Sequence, residues 1–171
     1  MQMVKKSFFA FLVLWLAILY FMPKQELYYT LEAKLAKNGI KINEKSIEAG
    51  IFSLTLLESS VYVKDIKLAN VERVEFFTFL FYTYVEVTNL VLDESLKSVV
   101  PTKIEEVSLT HKIWNPLHIG VKAQGSFGAM QGNVAFIDRT LRFDFNETEN
   151  ITMLKPKLQE DEKGWYYETS F

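Results

Sequence analysis

Three patterns of apolar positions follow one another along this chain. From Ser7 to Met22 every residue is uncharged, with Lys5-Lys6 just before the run and Pro23 just after it. From Leu27 the apolar positions recur every fourth residue, at Leu27, Leu31 and Leu35, with Tyr28 and Ala36 flanking the stripe, until Asn38-Gly39. From Ile40 onward the period falls to two. A continuous apolar run, a period near 3.6 and a period of two are the marks of a membrane or buried helix, an amphipathic helix and half-buried strands.

The first run predicts a helix of roughly 24 Å, slightly short of a hydrocarbon core of about 30 Å, which suits a short membrane anchor or a secretory signal. A cleavable signal ends in small residues, whereas this run leaves through Leu19-Tyr20-Phe21-Met22-Pro23-Lys24. Trp15 and Tyr20 are bulky, and Tyr20 falls where an interfacial aromatic belongs. The expected element is therefore an uncleaved anchor carried by Phe8, Phe9, Leu12, Leu14, Trp15, Leu16, Ile18, Leu19 and Tyr20. A buried core helix is disfavoured by the absence of any polar side. The short basic tail predicts a cytoplasmic N-terminus, and the long remainder a translocated body.

Pro23 fits the first turn of a helix, and Asn38-Gly39 supplies residues that end one. An amphipathic helix from Lys24 to about Asn38 follows, with its leucine stripe expected against the first strands. Period-two runs then read Phe52, Leu54, Leu56; Val85, Val87, Val91; Val107, Leu109, Ile113; Leu117, Ile119, Val121, Ala123; and Leu141, Phe143, Phe145. Alternation of this kind marks antiparallel sheet with one dry and one wet face. Ser59-Ser60, Asn70, Asn115-Pro116, Gly128, Gly132 and Asp138-Arg139-Thr140 read as turns, and Asp93 to Pro101 as a helical turn stopped by proline. The connections are too short for parallel crossovers.

The expected fold is mainly β: one transmembrane helix, one short juxtamembrane helix, and a curled antiparallel sheet forming a trough or half-barrel. Residues 1–23 form tail and anchor, 24–39 the juxtamembrane helix, and 40–171 the β domain of some eight to ten strands. A sheet of that length must curl, close or be covered to hide its apolar face. Phe52, Leu54, Leu56, Val85, Val87, Val121 and Phe143 are the candidate lining of a trough. The trough either packs on itself or holds acyl chains.

Catalytic chemistry finds little to work with. The chain has no cysteine, which removes disulfides, thiolate nucleophiles and cysteine-bound metals. His111 and His118, the two histidines, fall on opposite strand faces and do not converge as metal ligands. No serine has a nucleophile-elbow context, and neither a phosphate-cradling lysine loop nor a dinucleotide fingerprint occurs. Glu105-Glu106 and Glu160-Asp161-Glu162 read as solvated acids rather than a facing catalytic pair. No enzyme, cofactor or metal is expected. A formal net charge of −2 with interspersed signs excludes the basic face of a nucleic-acid binder. Asn146-Glu147-Thr148 and Asn150-Ile151-Thr152 fit the glycosylation triplet. The first also has Asp144 two residues upstream, as in the extended acceptor of bacterial oligosaccharyltransferases, making Asn146 the candidate; a polar loop is the plainer reading. The final alternation, Trp165, Tyr167, Thr169 and Phe171, resembles the C-terminal signal of outer-membrane barrels. An uncleaved anchor conflicts with that, so a last strand of the soluble sheet is expected.

Several segments together carry a family resemblance. The basic tail and apolar helix lead to Leu35-Ala36-Lys37-Asn38-Gly39-Ile40-Lys41-Ile42, then Phe52-Ser53-Leu54-Thr55-Leu56 and Val61 to Ala69. Leu90-Val91-Leu92-Asp93-Glu94-Ser95-Leu96, Gly125-Ser126-Phe127-Gly128 and Gly132-Asn133-Val134 follow. In this order and spacing the chain resembles the N-protein (GspN) family of type II secretion systems and, more distantly, AsmA-like proteins. It is shorter than typical members. The resemblance implies a non-enzymatic periplasmic body tethered by a single pass to the inner membrane, with membrane lipid and other envelope or secretion-system proteins as partners. It implies an accessory or scaffold role in protein transport or, on the AsmA-like side, lipid binding or transfer.

Overall fold

The computed structural model describes residues 2–96, 103–146, 155–162 and 164–171. Helix α1 (Gln2–Phe21) continues through Lys5-Lys6 toward the N-terminus, so its twenty residues reach about 30 Å. It is long and apolar enough to cross a membrane. Pro23 separates it from α2 (Lys24–Lys37), which ends where the Asn38 and Gly39 N–H groups donate to Leu35 and Ala36 carbonyls and Gly39 takes a φ of +77°.

The rest is one antiparallel sheet. Its strands are β1 (Ile40–Asn43), β2 (Ser46–Ala49), β3 (Ser53–Val63), β4 (Ile66–Phe79), β5 (Tyr82–Leu92), β6 (Lys103–Lys112), β7 (Asn115–Gly125), β8 (Gly128–Ala135), β9 (Thr140–Phe145), β10 (Gln159–Asp161) and β11 (Gly164–Ser170). They lie in the order β1-β3-β4-β5-β6-β7-β8-β9-β11-β10, with β2 also on β3, and the first strand does not meet the last. The molecule is mainly β, with an unclosed, curled sheet. The C-terminal alternation forms a strand on β9 and does not close a barrel.

Cross-strand register aligns the apolar positions into rows. One runs Leu54, Phe76, Val85, Leu109, Val121, Gly132, Phe143, Tyr167. The next runs Leu56, Val74, Val87, Val107, Ala123, Met130, Phe145, Trp165. Directly opposed residues share a face, so these two rows form one apolar surface eight strands wide. The intervening row, Thr55, Glu75, Glu86, Ser108, Lys122, Gln131, Asp144 and Tyr166, forms the polar face. There Arg142 pairs with Asp144 at 2.8 Å and Asp161 at 2.6 Å, under the ring of Tyr166.

Some turn signals lie inside strands. Ser59-Ser60 is within β3 and Asn70 within β4, and both strands continue past them to a two-residue turn at Lys64-Asp65. Gly132 lies inside β8 and Asn115-Pro116 begins β7. A slip of phase also crosses β3 to β6. Glu58 and Asn89 adopt positive φ, 48° and 50°, where non-glycine residues are uncommon. Across the sheet Glu58, Glu72, Asn89 and Glu105 fall at one level, and each is skipped in the ladder. β1 and β2 are separated at the same level by Glu44-Lys45, where Lys45 pairs with Glu58 at 2.6 Å. Beyond this line the buried positions change parity. Ser59, Val71 and Ala69 are inside, whereas Val91, expected on the dry face with Val85 and Val87, is exposed. Ile113, expected on the same face as Leu109, lies exposed in the β6–β7 turn. The expected helical turn from Asp93 is a 3-10 turn at Glu94–Leu96, and its continuation to Pro101 lies outside the described residues.

Candidate apolar face and its surroundings

The apolar face is covered at two places. At its β3–β4 side Tyr28 of α2, 4% exposed, packs with Leu54 and Leu56, joined by Ile47, Val74 and Phe76. The predicted leucine stripe therefore does not centre the contact: Leu27 and Leu31 are about half-exposed at the rim, and the helix is rotated so that Tyr28 points inward. A phenol can do what leucine cannot here, because its ring fills the core while its O–H reaches the Glu44 carboxylate at 2.9 Å. Between α1, α2 and this part of the sheet lies an apolar hollow of about 210 Å³, lined by Leu19, Leu27, Leu31, Phe52 and Phe76, with Lys24 bonded to the Leu19 carbonyl.

At the other side Ala123 and Phe127 are buried with Ile104, Val107, Met130, Phe145 and Leu158. Phe127 folds back from the β7–β8 turn, and a Cβ on Gly125 would stand 3.0 Å from its ring. Phe143 lies across Gly132 so closely that any Cβ there would overlap its ring. That arrangement lets an aromatic cover a strand glycine.

Of the candidate trough residues, Leu54, Val85, Val121 and Phe143 share the first row and Leu56 and Val87 the second. Phe52 lies just before β3, lining the hollow beside the helices. Val121, Leu54 and Leu56 are buried; Val85, Val87 and Phe143 are half-buried. Helix α2 lies along β1 and β2 and reaches β3 through Tyr28, at one margin of this surface. Of the candidate anchor residues, Phe8, Phe9, Leu14, Ile18 and Tyr20 are exposed, Leu12 is half-buried, and burial grows through Trp15 and Leu16 to Leu19, which is buried against the body.

His111 lies on the side of Leu109 and Ile119, with Nε2 3.1 Å from the Pro116 carbonyl. His118 lies on the polar face in a hollow of about 520 Å³ with Lys112, Lys122 and Asn133, its Nδ1 buried without a partner. No group of histidine, aspartate and glutamate among the described residues is arranged to hold a metal. Asn146 is exposed at the end of β9; the rest of its triplet and the second triplet lie outside the described residues.

The Tyr28 phenol titrates well above the usual tyrosine range, first because burial penalises the phenolate and then because the Glu44 carboxylate opposes a second negative charge. A pKa raised on folding gives stability that is complete below about pH 10 and is lost as pH rises toward the folded value. Denaturation midpoints should therefore fall above about pH 10, and Tyr28→Phe should flatten that fall while costing about 1 kcal/mol at neutral pH. An unchanged alkaline limb in the variant would overturn this assignment.

Phe127, Tyr28 and the slip line are the features that periodicity missed; a signal existed, since in β4 the parity passes from Val74 and Phe76 to Ala69 and Val71. No family model, no curated protein and no solved structure matches this chain.

Proposed function

We propose that this protein is a non-enzymatic, single-pass accessory component of an envelope or type II secretion-like assembly, held in the inner membrane by α1 with its β body in the periplasm. The observation that carries the reading is an apolar helix long enough to span, joined through Pro23 to an unclosed sheet with an available edge. Strand β10 pairs β11 only at Gly164 to Tyr166, so Tyr167–Ser170 have no described neighbour on their outer side. Such an edge accepts a strand from another protein. A photo-crosslinker at Thr169 in living cells should capture discrete envelope proteins, and Ser170→Pro, which removes a backbone N–H on the outer side of β11, should abolish the products. Phosphatase fused after Phe171 should be active; activity confined to a cytoplasmic reporter would refute the topology.

A lipid-binding or lipid-transfer role, as in AsmA-like proteins, is favoured by one feature: Val85 and Val87 sit mid-face between the two buried clusters, beside Val74, Phe76 and Val107, and are themselves only half-buried. On that reading the full chain extracted from membranes carries phospholipid detectable by mass spectrometry, and Val87→Glu reduces it while strand content is retained. Lipid-free protein would leave the scaffold reading alone.

A further inference from the structure

The turns of an antiparallel meander fall alternately at its two ends, and here the ends differ in chemistry. Among the described residues, one end carries Lys64-Asp65, Asp93-Glu94 and Asp161-Glu162, with Phe127 tucked inside and Ile66 and Val91 as its exposed large apolar residues. The other end carries the β4–β5, β6–β7 and β8–β9 turns and the end of β11. In and beside these turns stand the exposed apolar residues Phe81, Ile113, Trp114, Phe136, Ile137 and Phe171, with Trp114 at 69% and Ile137 at 67%. Turns are ordinarily built from glycine, asparagine, aspartate and serine, and contiguous exposed apolar surface marks an interaction site. These turns are also tied to one another. The Ile113 N–H donates to the Phe81 carbonyl at 2.9 Å, the Phe171 N–H donates to the Arg139 carbonyl at 3.0 Å, and the Phe136 and Phe171 rings meet edge to face.

We infer that this end of the sheet inserts its turns into the surface of the lipid bilayer that α1 crosses. What identifies the occupant is the position of α1. The Phe81 ring lies 6.1 Å from that of Trp15, six residues before the C-terminal end of α1. At a rise of about 1.5 Å per residue, Trp15 sits roughly 9 Å inside that end. A turn that touches a spanning helix at that depth is level with the acyl boundary, and its neighbours in the same row of turns share that level. Exposed tryptophan and phenylalanine are favoured there, and Lys24, Lys112 and Arg139 border the patch, as suits anionic headgroups; Asp138 is the acid among them. The body thus meets the membrane along a line of turns as well as through its anchor. This inference rests on α1 spanning the bilayer.

The chain has no cysteine, so single labels can be placed at will. The full chain would be reconstituted in vesicles of equal parts phosphatidylcholine and phosphatidylglycerol. Environment-sensitive labels would be attached at Trp114→Cys, Ile137→Cys, Asp65→Cys at the polar end, and Leu12→Cys in α1. The expected result is a blue-shifted emission at 114 and 137, with quenching by shallow lipid-borne quenchers and several-fold weaker quenching by an aqueous quencher than at 65. Protection at 12 with full aqueous access at 114 and 137 would overturn the insertion while leaving the anchor intact. Aqueous access at 12 would remove the anchor and the insertion together. Protection at 114 and 137 that disappears when protein is diluted in excess lipid would assign the patch to a second copy and also overturn the inference.

Discussion

Leu56→Ala is expected to be the most damaging single truncation in the described body, lowering stability by roughly 2–5 kcal/mol. Leu56 is 2% exposed and is held between Tyr28 above and the row partner Val74 beside it. The loss combines the transfer energy of the missing atoms with a void that α2 cannot readily fill, because Tyr28 is fixed by its bond to Glu44. Urea titration of the full chain in lipid discs, followed by the strand signal, should show an earlier midpoint with an unchanged slope. Leu31→Ala is the matched control. That side chain is also a leucine of the same helix-sheet region but is 45% exposed, at the rim of the hollow, and its midpoint should move far less. Equal effects at the two positions would mean that α2 packs through its leucine stripe after all.

The second large effect is expected at Gly132, inside β8. A methyl group there would run into the Phe143 ring and stand 2.7 Å from the Arg142 carbonyl. Overpacking of this kind costs about 1–3 kcal/mol. The ring could be relieved by substitution, whereas the carbonyl belongs to the neighbouring strand and cannot move without breaking the β8–β9 ladder. Gly132→Ala should therefore destabilise, and adding Phe143→Leu should recover part of the loss and not all of it. Additive losses in the double variant would show that the ring is not what occupies the space above Gly132.

The two helices and the run of strands were legible because their periods follow directly from burial: an all-apolar circumference, a stripe and a simple alternation. Even Phe143 and Val121 could be placed on one face from parity alone. The misplaced residues failed for identifiable reasons. Leu27 and Leu31 looked like the packing stripe because leucine is the usual core residue of a helix, but the inward position belongs to Tyr28, whose partner Glu44 lies sixteen residues away. Ser59-Ser60 and Asn70 look like turns because serine and asparagine favour them, yet both lie in long strands: the Ser60 hydroxyl bonds Asn70 across the ladder at 2.9 Å, and Ser59 is simply buried. Counting in twos from Val85 puts Val91 on the dry face, and the count breaks at Asn89. A glycine there would have announced the break; asparagine and glutamate at positive φ do not. The apolar turns carry the opposite difficulty. Phe81, Trp114 and Ile137 read as strand residues by composition, and that they gather at one end follows from the pairing of strands rather than from any local run.

The level shared by Glu58, Glu72, Asn89 and Glu105 has a consequence for how so long a meander finds its alignment. In an ordinary sheet a slide of two residues keeps every side chain on its proper side and is the error hardest to exclude. Here such a slide would set the irregular residue of one strand beside a regular stretch of the next. Ladder bonds would be lost there, and over the short stretch between the two displaced irregular residues the dry side of one strand would oppose the wet side of the next. The mismatch repeats at each of the three junctions joining β3 to β6, so each strand added in the wrong frame is penalised by the one already laid down. The row works as a notch cut at the same height in successive planks, and an open sheet with few glycines can thereby be laid down in a single frame.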